Sequence, residues 1–292
     1  MALFSRLVII TLLVVGPVLL PGCSSMKVSD VQPVSPEVKG ELVIHFMNAG
    51  EGDSTLIQTG SGENILVDTG SPAAGPDVVR YLKNLGIRRI DRLILTHPHD
   101  DHIGGIFSLA ADIPVDRFYD NGLSNFSSTM YGEYVSLVRK NLSRYAILQA
   151  GESLVTGGVK IEVINPLLPP TGDVNNDSIV MRVLFGDIKV LLAGDMGEIG
   201  ERRLLNINAD LKSNVIRIGH HGENDVCSRD FLRRVSPEAA VISAASINKY
   251  ARPHPALLHR LEQLGIPVYR TDLDGSVVLR TDGTSYSIHT GR

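Results

Sequence analysis

The sequence predicts an α/β fold in which two sheets pack together with helices on the outside. Three observations predict it. Short apolar strands come in clusters, amphipathic segments of helical period follow each cluster, and the whole arrangement repeats in the second half of the chain. The 292 residues supply ample material for a core, and 43% hydrophobic with 21% charged residues is the balance of a globular protein, not a disordered one. A formal net charge of -4 gives no electrostatic footprint for tight nucleic-acid binding, although it leaves nucleic-acid cleavage open.

The first residues stand apart from this fold. Arg6 supplies a positive charge ahead of the apolar run Leu7 to Leu20, which Gly16-Pro17 interrupts. The run is short for a membrane span and suits a signal-peptide core, so residues 1–22 read as a signal peptide. Leu20-Pro21-Gly22-Cys23 resembles the lipobox of bacterial lipoproteins, which implies cleavage before Cys23 and a lipid on its thiol. An uncleaved anchor or an ordinary secretory site is the alternative. Residues 23–40 then form a polar tether with Pro33 and Pro36 and no apolar period. With Cys23 lipidated, Cys227 is the one remaining cysteine, and an intrachain disulfide is ruled out. The expected location is the bacterial cell envelope, on the periplasmic or extracytoplasmic face. Ser24 carries no acidic retention signal, which leaves the outer membrane open.

Residues 41–292 read as one domain. Glu41 to Met47 alternates apolar and polar residues as a first strand, within which His45 is structural. Gly50-Glu51-Gly52-Asp53 turns into a strand at Ser54 to Gln58, paired by hairpin to Asn64 to Val67. Val78, Val79, Leu82 and Leu85 repeat with helical period and Gly86 closes that helix. Strand Arg92 to Leu95, a short helix at Ile103 to Ala110, strand Arg117 to Tyr119, a helix at Ser128 to Arg144 and strand Ala146 to Gln149 complete the first half. The second half has a strand at Val159 to Ile164, a Pro- and Asn-rich loop at Pro166 to Asn176, and a hairpin of Ser178 to Phe185 with Ile188 to Leu192. Helix Gly197 to Asn206, strand Asn214 to Ile218, helix Ser228 to Val235, strand Ala239 to Ser243 and helix Pro255 to Leu264 follow. Three strands close the chain, at Val268 to Arg270, Ser276 to Leu279 and Ser285 to His289.

The chemistry is concentrated behind the apolar run Leu93-Ile94-Leu95, in Thr96-His97-Pro98-His99-Asp100-Asp101-His102-Ile103-Gly104-Gly105. Extended backbone alternates faces, so His97 and His99 point the same way, and the chain must then turn to present Asp101 and His102. Two ligand pairs aimed from one turn suit two adjacent metal ions. Imidazole and carboxylate ligands fit zinc, manganese or iron better than copper(I) or calcium. Gly104 and Gly105 allow a close backbone approach beneath the site.

The pattern His-x-His-x-Asp-His resembles the signature of the metallo-β-lactamase superfamily, whose fold is a four-layer αββα sandwich. By that resemblance Asp195, at the end of strand Val190 to Ala193, is the metal-bridging carboxylate. His220, of Gly219-His220-His221-Gly222, fits the last histidine ligand, and His221 is left as a second ligand, a proton donor or a substrate contact. Many members carry another histidine ligand that this chain lacks, since no histidine stands between Ile103 and Met196. One site is thereby Asp101, His102, Asp195 and His220. The other holds His97, His99 and a share of Asp195, and is completed by water, substrate or an oxygen from Asn175-Asn176-Asp177-Ser178.

That segment, with Asn48-Ala49-Gly50-Glu51-Gly52-Asp53-Ser54, Val67-Asp68-Thr69-Gly70, Asn248-Lys249-Tyr250 and Pro253-His254-Pro255, is similar to the metallo-hydrolase domain of ComEC-type DNA-uptake proteins. The related pattern has Gln where Glu51 stands, and commonly Gly-His-Pro in the region of Arg252 to Pro255. The resemblance implies a free-standing, envelope-anchored hydrolase with two zinc or manganese ions and a metal-activated water, acting on a phosphoester in a small molecule or a nucleic acid. His221, Asn176 and His254 are candidates, beside Asp101, to bind the phosphoryl group or protonate its leaving oxygen; Ser178 could hold a phosphate or a metal. Asp53 and Asp68 are candidates to orient the imidazoles. A lactone, thioester or β-lactam hydrolase is the alternative, as is a lipoprotein that binds metal or a partner without catalysis. Nothing in the sequence points to a protein partner.

Overall fold

Alternation along the strands sorts the core into three layers. The computed structural model describes residues 40–122, 128–140, 144–246 and 250–291. The signal peptide, Cys23, the tether up to residue 39, and Asn248-Lys249 lie outside them.

The first sheet runs, edge to edge, β15 (Tyr286–Thr290), β14 (Val277–Thr281), β1 (Leu42–Phe46), β2 (Thr55–Gln58), β3 (Asn64–Val67), β4 (Arg92–Ile94), β5 (Phe118–Asp120) and β6 (Tyr145–Ile147). The second runs β13 (Val268–Arg270), β12 (Ala239–Ile242), β11 (Val215–Arg217), β10 (Ile188–Leu192), β9 (Val180–Phe185), β8 (Val159–Asn165) and β7 (Ser153–Thr156). Leu42, Ile44 and Phe46 of β1 meet Met181, Val183 and Phe185 of β9 in a core between the sheets. The intervening positions face outward: Leu56, Leu66 and Leu93 pack under helices α1 (Gly75–Asn84) and α3 (Ile106–Asp112). Val180, Leu191 and Ile216 pack under α6 (Arg229–Val235) and α7 (Pro255–Gln263). Period-2 strands with both faces apolar demand such a helix–sheet–sheet–helix stack.

Each sheet is antiparallel on one side and parallel on the other: β3 through β6 and β10 through β13 run parallel. Of the predicted site residues, His97 to His102 follow β4, Asp195 follows β10 and His220 follows β11, at the carboxyl ends of parallel strands, where crevices form.

The differences from expectation are local. β7 was not expected; its partner β8 follows across Gly157-Gly158, whose positive φ angles make a tight turn. The helix expected to end at Arg144 is α4 (Thr129–Arg139), opened by Ser128, whose hydroxyl accepts from the Tyr131 N–H. The helix expected at Ile103 is two pieces, a single turn α2 (Asp100–Ile103) and then α3. The last three strands divide between the sheets, β13 joining the second while β14 and β15 return to the first, with a short α8 (Thr271–Asp274) between. Among the described residues no helix is long and apolar enough to cross a membrane.

Candidate metal centre

Past β4 the chain bends at His97 and Pro98, is extended again at His99, then closes the single turn of α2. His97 thus comes from the bend, His99 from extended backbone, and Asp101 and His102 from helical backbone. Two loops hold the turn by its main chain. Asp53 N–H donates to the Asp101 carbonyl at 3.1 Å, and Thr69 donates to the His102 carbonyl through both N–H, at 2.7 Å, and hydroxyl, at 3.0 Å. Gly105 makes this approach sterically accessible: a Cβ there would sit 2.0 Å from the Thr69 carbonyl oxygen.

The second sheet supplies the rest. Gly194, at φ +54°, turns the chain out of β10 and presents Asp195, whose N–H donates to Ser178 Oγ at 3.2 Å. A single turn after β11 carries His220 and His221, both left-handed, at φ 47° and 51°.

Ligand atoms of Asp101, His102, Asp195 and His221 lie within 4.8 Å of one another. His102 Nε2 is 3.1 Å and His221 Nε2 3.7 Å from Asp195 Oδ2, and His221 Nε2 is 3.2 Å from Asp101 Oδ2. His97 Nε2 lies 3.7 Å from the same Asp195 oxygen and 3.0 Å from His99 Nδ1. The same Asp195 oxygen thus lies near His97 as well as His102 and His221, and His97 is paired with His99. Asp101, His102, Asp195 and His221 form a cluster that fits a divalent metal, and the donor set is the borderline type that zinc and manganese accept.

Burial and charge give these groups unequal protonation. Burial, with the charge of His102 beside it, holds His97 well below the ordinary imidazole value, and burial lowers His99 too. His102 is the opposite case: burial opposes its charge, but the carboxylates of Asp195, Asp68 and Asp101 hold it well above the ordinary value. Asp101 and Asp195 resist the upward pull of burial because His102 and His221 are close, and both stay below the carboxylate range.

Outside the ligand group, Asp68 Oδ2 accepts from His102 Nδ1 at 2.8 Å, while Asp68 also accepts from the Thr96 N–H and hydroxyl, each at 2.8 Å. It fixes the ring so that Nε2 faces Asp195. Asp53 orients no imidazole. It forms a buried ion pair with Arg217, whose Nη1 donates to the Gly194 carbonyl at 2.7 Å and lies 3.7 Å from Asp195 Oδ1. Arg217 escapes a reading by composition because it stands inside the apolar run of β11. Its signal is the anomaly itself, a charge on a strand position facing the inter-sheet core, like Val215 two residues earlier.

Three of the expected site residues lie outside the Asp101–His102–Asp195–His221 cluster. His220 does not join the ligand group, whereas His221 does. The His220 N–H donates to Asp195 Oδ1 at 3.1 Å, and its Nε2 accepts from Arg252 Nη2 at 3.1 Å, which occupies the lone pair a metal needs. Both residues have left-handed backbone, and in this turn it is the His221 ring that faces Asp101 and Asp195. Asn176 is tied to its own loop and to α5 (Glu198–Asn206): its amide donates to Asp173 Oδ1 at 2.8 Å and its carbonyl accepts from the Gly200 N–H at 2.9 Å. His254 Nδ1 caps α7 by accepting from the Ala256 N–H at 3.1 Å.

Asp101, Asp195 and His221 of the ligand group line a pocket of about 600 Å³ whose walls also include Glu51, Asp100, His220, Tyr250 and Arg252. Arg252 Nε donates to Glu223 Oε1 at 2.7 Å, and its guanidinium carbon sits 4.5 Å from the Tyr250 ring centre.

Comparison with known proteins follows the same lines. Residues 47–246 match the family model of the Metallo-beta-lactamase superfamily. The chain is 30% identical over 204 residues to ComE operon protein 3 of Bacillus subtilis, covering 70% of this chain. It is 33% identical over 240 residues to competence protein ComA of Neisseria gonorrhoeae, covering 82%. It spans only 26% and 32% of those two proteins. Among solved structures, the metallo-beta-lactamase fold protein YhfI of Bacillus subtilis superposes with a TM-score of 0.53 at 13% identity, over 82% of this chain and 100% of that one.

Proposed function

We propose that this chain, which belongs to the metallo-β-lactamase superfamily, is a metal-dependent hydrolase that cleaves a phosphoester, most readily a phosphodiester, at the bacterial envelope. The observation that carries the reading is the single buried oxygen of Asp195, which lies within 3.7 Å of ring nitrogens of His97, His102 and His221.

His97, His99 and Asp195 are positioned to hold one divalent ion, zinc or manganese, and Asp101, His102, Asp195 and His221 the other. Bound there, such ions supply Lewis acidity for activating a water and neutralising charge on a phosphoryl group. The chain's own residues do the rest. Asp68 keeps the His102 ring aimed, and Arg217 holds the far oxygen side of Asp195. Ser178 and the Gly194 turn fix the Asp195 backbone, a buried scaffold that lets the ligands keep their geometry during turnover. The floor is buried and the mouth open, which suits a substrate that places a phosphoryl group on the floor and keeps its leaving group in solvent.

Three further features support the phosphoester class and the location. A carboxylate serves both halves of the centre, where a third histidine is absent from the chain segment between Ile103 and Met196. The relatives named for competence make a nucleic-acid phosphodiester a reasonable substrate, and an acidic chain requires that such a strand be held at the centre itself, not in a basic groove. The lipobox-like Leu20-Pro21-Gly22-Cys23 supports anchoring by a lipid on Cys23.

The test is the full chain in detergent, assayed for metal content and for turnover of bis-p-nitrophenyl phosphate, single-stranded DNA, a thioester and a lactone. The expected result is about two metals per chain and diester hydrolysis that falls at least about 10³-fold in Asp195→Ala. Turnover of only the thioester or lactone would replace the phosphoester class. Protein that binds metal but hydrolyses nothing would point to a binding module, and protein that binds no metal would remove the hydrolase reading.

A further inference from the structure

Arg252 stands on the pocket wall one residue from the metal-facing carboxylate: its Nη2 donates to the His220 ring, and the His220 N–H donates to Asp195. Its side chain is only 14% exposed, and three neighbours fix the plane of the guanidinium. Glu223 takes Nε, the Tyr250 ring lies beneath, and His220 Nε2 takes an Nη2 hydrogen. Among the described residues that line this pocket, Arg252 is the one lysine or arginine, against the carboxylates of Glu51, Asp100, Asp101 and Asp195. Ordering a long, rotamer-rich side chain and withdrawing its charge from water are both costly. The ion pair with Glu223 offsets the charge but does not explain why the group is held at the pocket surface.

We infer that Arg252 is the specificity-determining residue for the substrate's anion: its guanidinium binds a non-bridging oxygen of the phosphoryl group and orients it over the Asp101–His102–Asp195–His221 floor. The inference deepens the phosphoester reading and rests on it for the identity of the anion. A planar, pre-oriented guanidinium matches tetrahedral oxyanions in a way that a lysine ammonium does not, and charge-assisted bonds to phosphate are among the stronger polar contacts. Tyr250 and Glu223 act through Arg252 by fixing its plane. His220 serves the same purpose, which gives the first histidine of the pair a use outside the ligand group. The carboxylates around the rim oppose polyanions, so the favoured ligand carries one compact anionic group.

Two readouts test this on the zinc-loaded full chain in detergent, with Arg252→Ala, Arg252→Lys and Arg252→Gln compared at matched metal content and circular dichroism. The first is calorimetric titration with inorganic phosphate, which needs no turnover. Wild type is expected to bind at least about tenfold more tightly than the Ala and Gln variants (about 1.4 kcal/mol), with Lys between. Equal affinity in all four proteins would overturn the inference. The second compares bis-p-nitrophenyl phosphate with the uncharged ester p-nitrophenyl acetate. A raised KM for the diester with little change for the acetate supports an anion contact, whereas an equal loss on both substrates makes Arg252 merely structural. If wild type hydrolyses no phosphoester, the functional reading fails and the phosphate titration alone still decides whether Arg252 binds an anion. Should the Ala variant misfold, the Lys and Gln variants carry both comparisons.

Discussion

His102 and Asp195 meet at 3.1 Å across 93 positions of sequence, one carried by the first sheet and the other by the second. Each is also held from behind, His102 by Asp68 at 2.8 Å and Asp195 by the neighbouring guanidinium of Arg217 at 3.7 Å. The contact joins two rigid supports, and the experiments below perturb it from different sides.

Exchanging the two adjacent histidines separates their roles. His221→Ala is expected to lose about one bound metal per chain, and His220→Ala to keep its metal. Metal analysis of both purified variants decides it; loss in His220→Ala with retention in His221→Ala would reverse the assignment.

Asp68→Asn keeps an acceptor for the Thr96 N–H but removes the charge that orients His102. Metal affinity is expected to fall roughly 10- to 100-fold, measured by competition with a chromogenic chelator, with the fold retained.

Protonation of His102 couples metal binding to pH. In metal-free protein its surrounding carboxylates raise it well above the ordinary value, so a metal entering at Nε2 must displace a proton. Affinity is therefore expected to rise with pH and metal to be lost on acidification. The same raised value makes His102 stabilise metal-free protein fully below the unfolded imidazole pKa of about 6.5. That contribution fades as pH climbs through the folded-state value. Melting of chelator-treated protein should decline on the alkaline side by more than that of metal-loaded protein; parallel curves would contradict the coupling.

Arg217→Met leaves Asp53 buried without its partner and is expected to destabilise the fold by about 3–5 kcal/mol. Adding Asp53→Asn removes the stranded charge and should recover part of that loss. Urea midpoints of the single and double variants check it.

Gly105→Ala drives a methyl group into the Thr69 carbonyl, the group next to the pair of bonds that hold the metal turn. A cost of about 1–3 kcal/mol is expected, together with weaker metal binding, read from denaturation and from chelator competition.

The layers were legible because strand alternation and helical period dominate this chain: the inward positions of β1 and β9 can be assigned from residue type alone. The turn that presents Asp101 and His102 was legible as well, whereas the bend at His97 and Pro98 interrupts the extended run that alternation predicts. What escaped depends on exceptions to those rules. His220 and His221 sit in left-handed backbone that periodicity does not encode, so which of the two rings faces Asp195 is not legible from it. Asn176 and His254 have side chains fit for catalysis, but local backbone groups take them up, a competition decided only when the loop and helix are in place. Arg217 was passed over because neighbouring Val215, Ile216 and Ile218 make the strand look uniformly apolar.

The pairing of β1 with β14, Leu42 opposite Thr281, has a consequence for biogenesis. During synthesis β1 emerges early, while the strand that covers its open side is made only after both metal-bearing segments. Until then β1 presents an unsatisfied ladder of amides on an apolar strand, a template for pairing between nascent chains. A chain interrupted before Val277 would carry every residue of the proposed metal centre and still lack the strand that covers that edge, so the site residues and the cover of β1 are completed at different moments of translation.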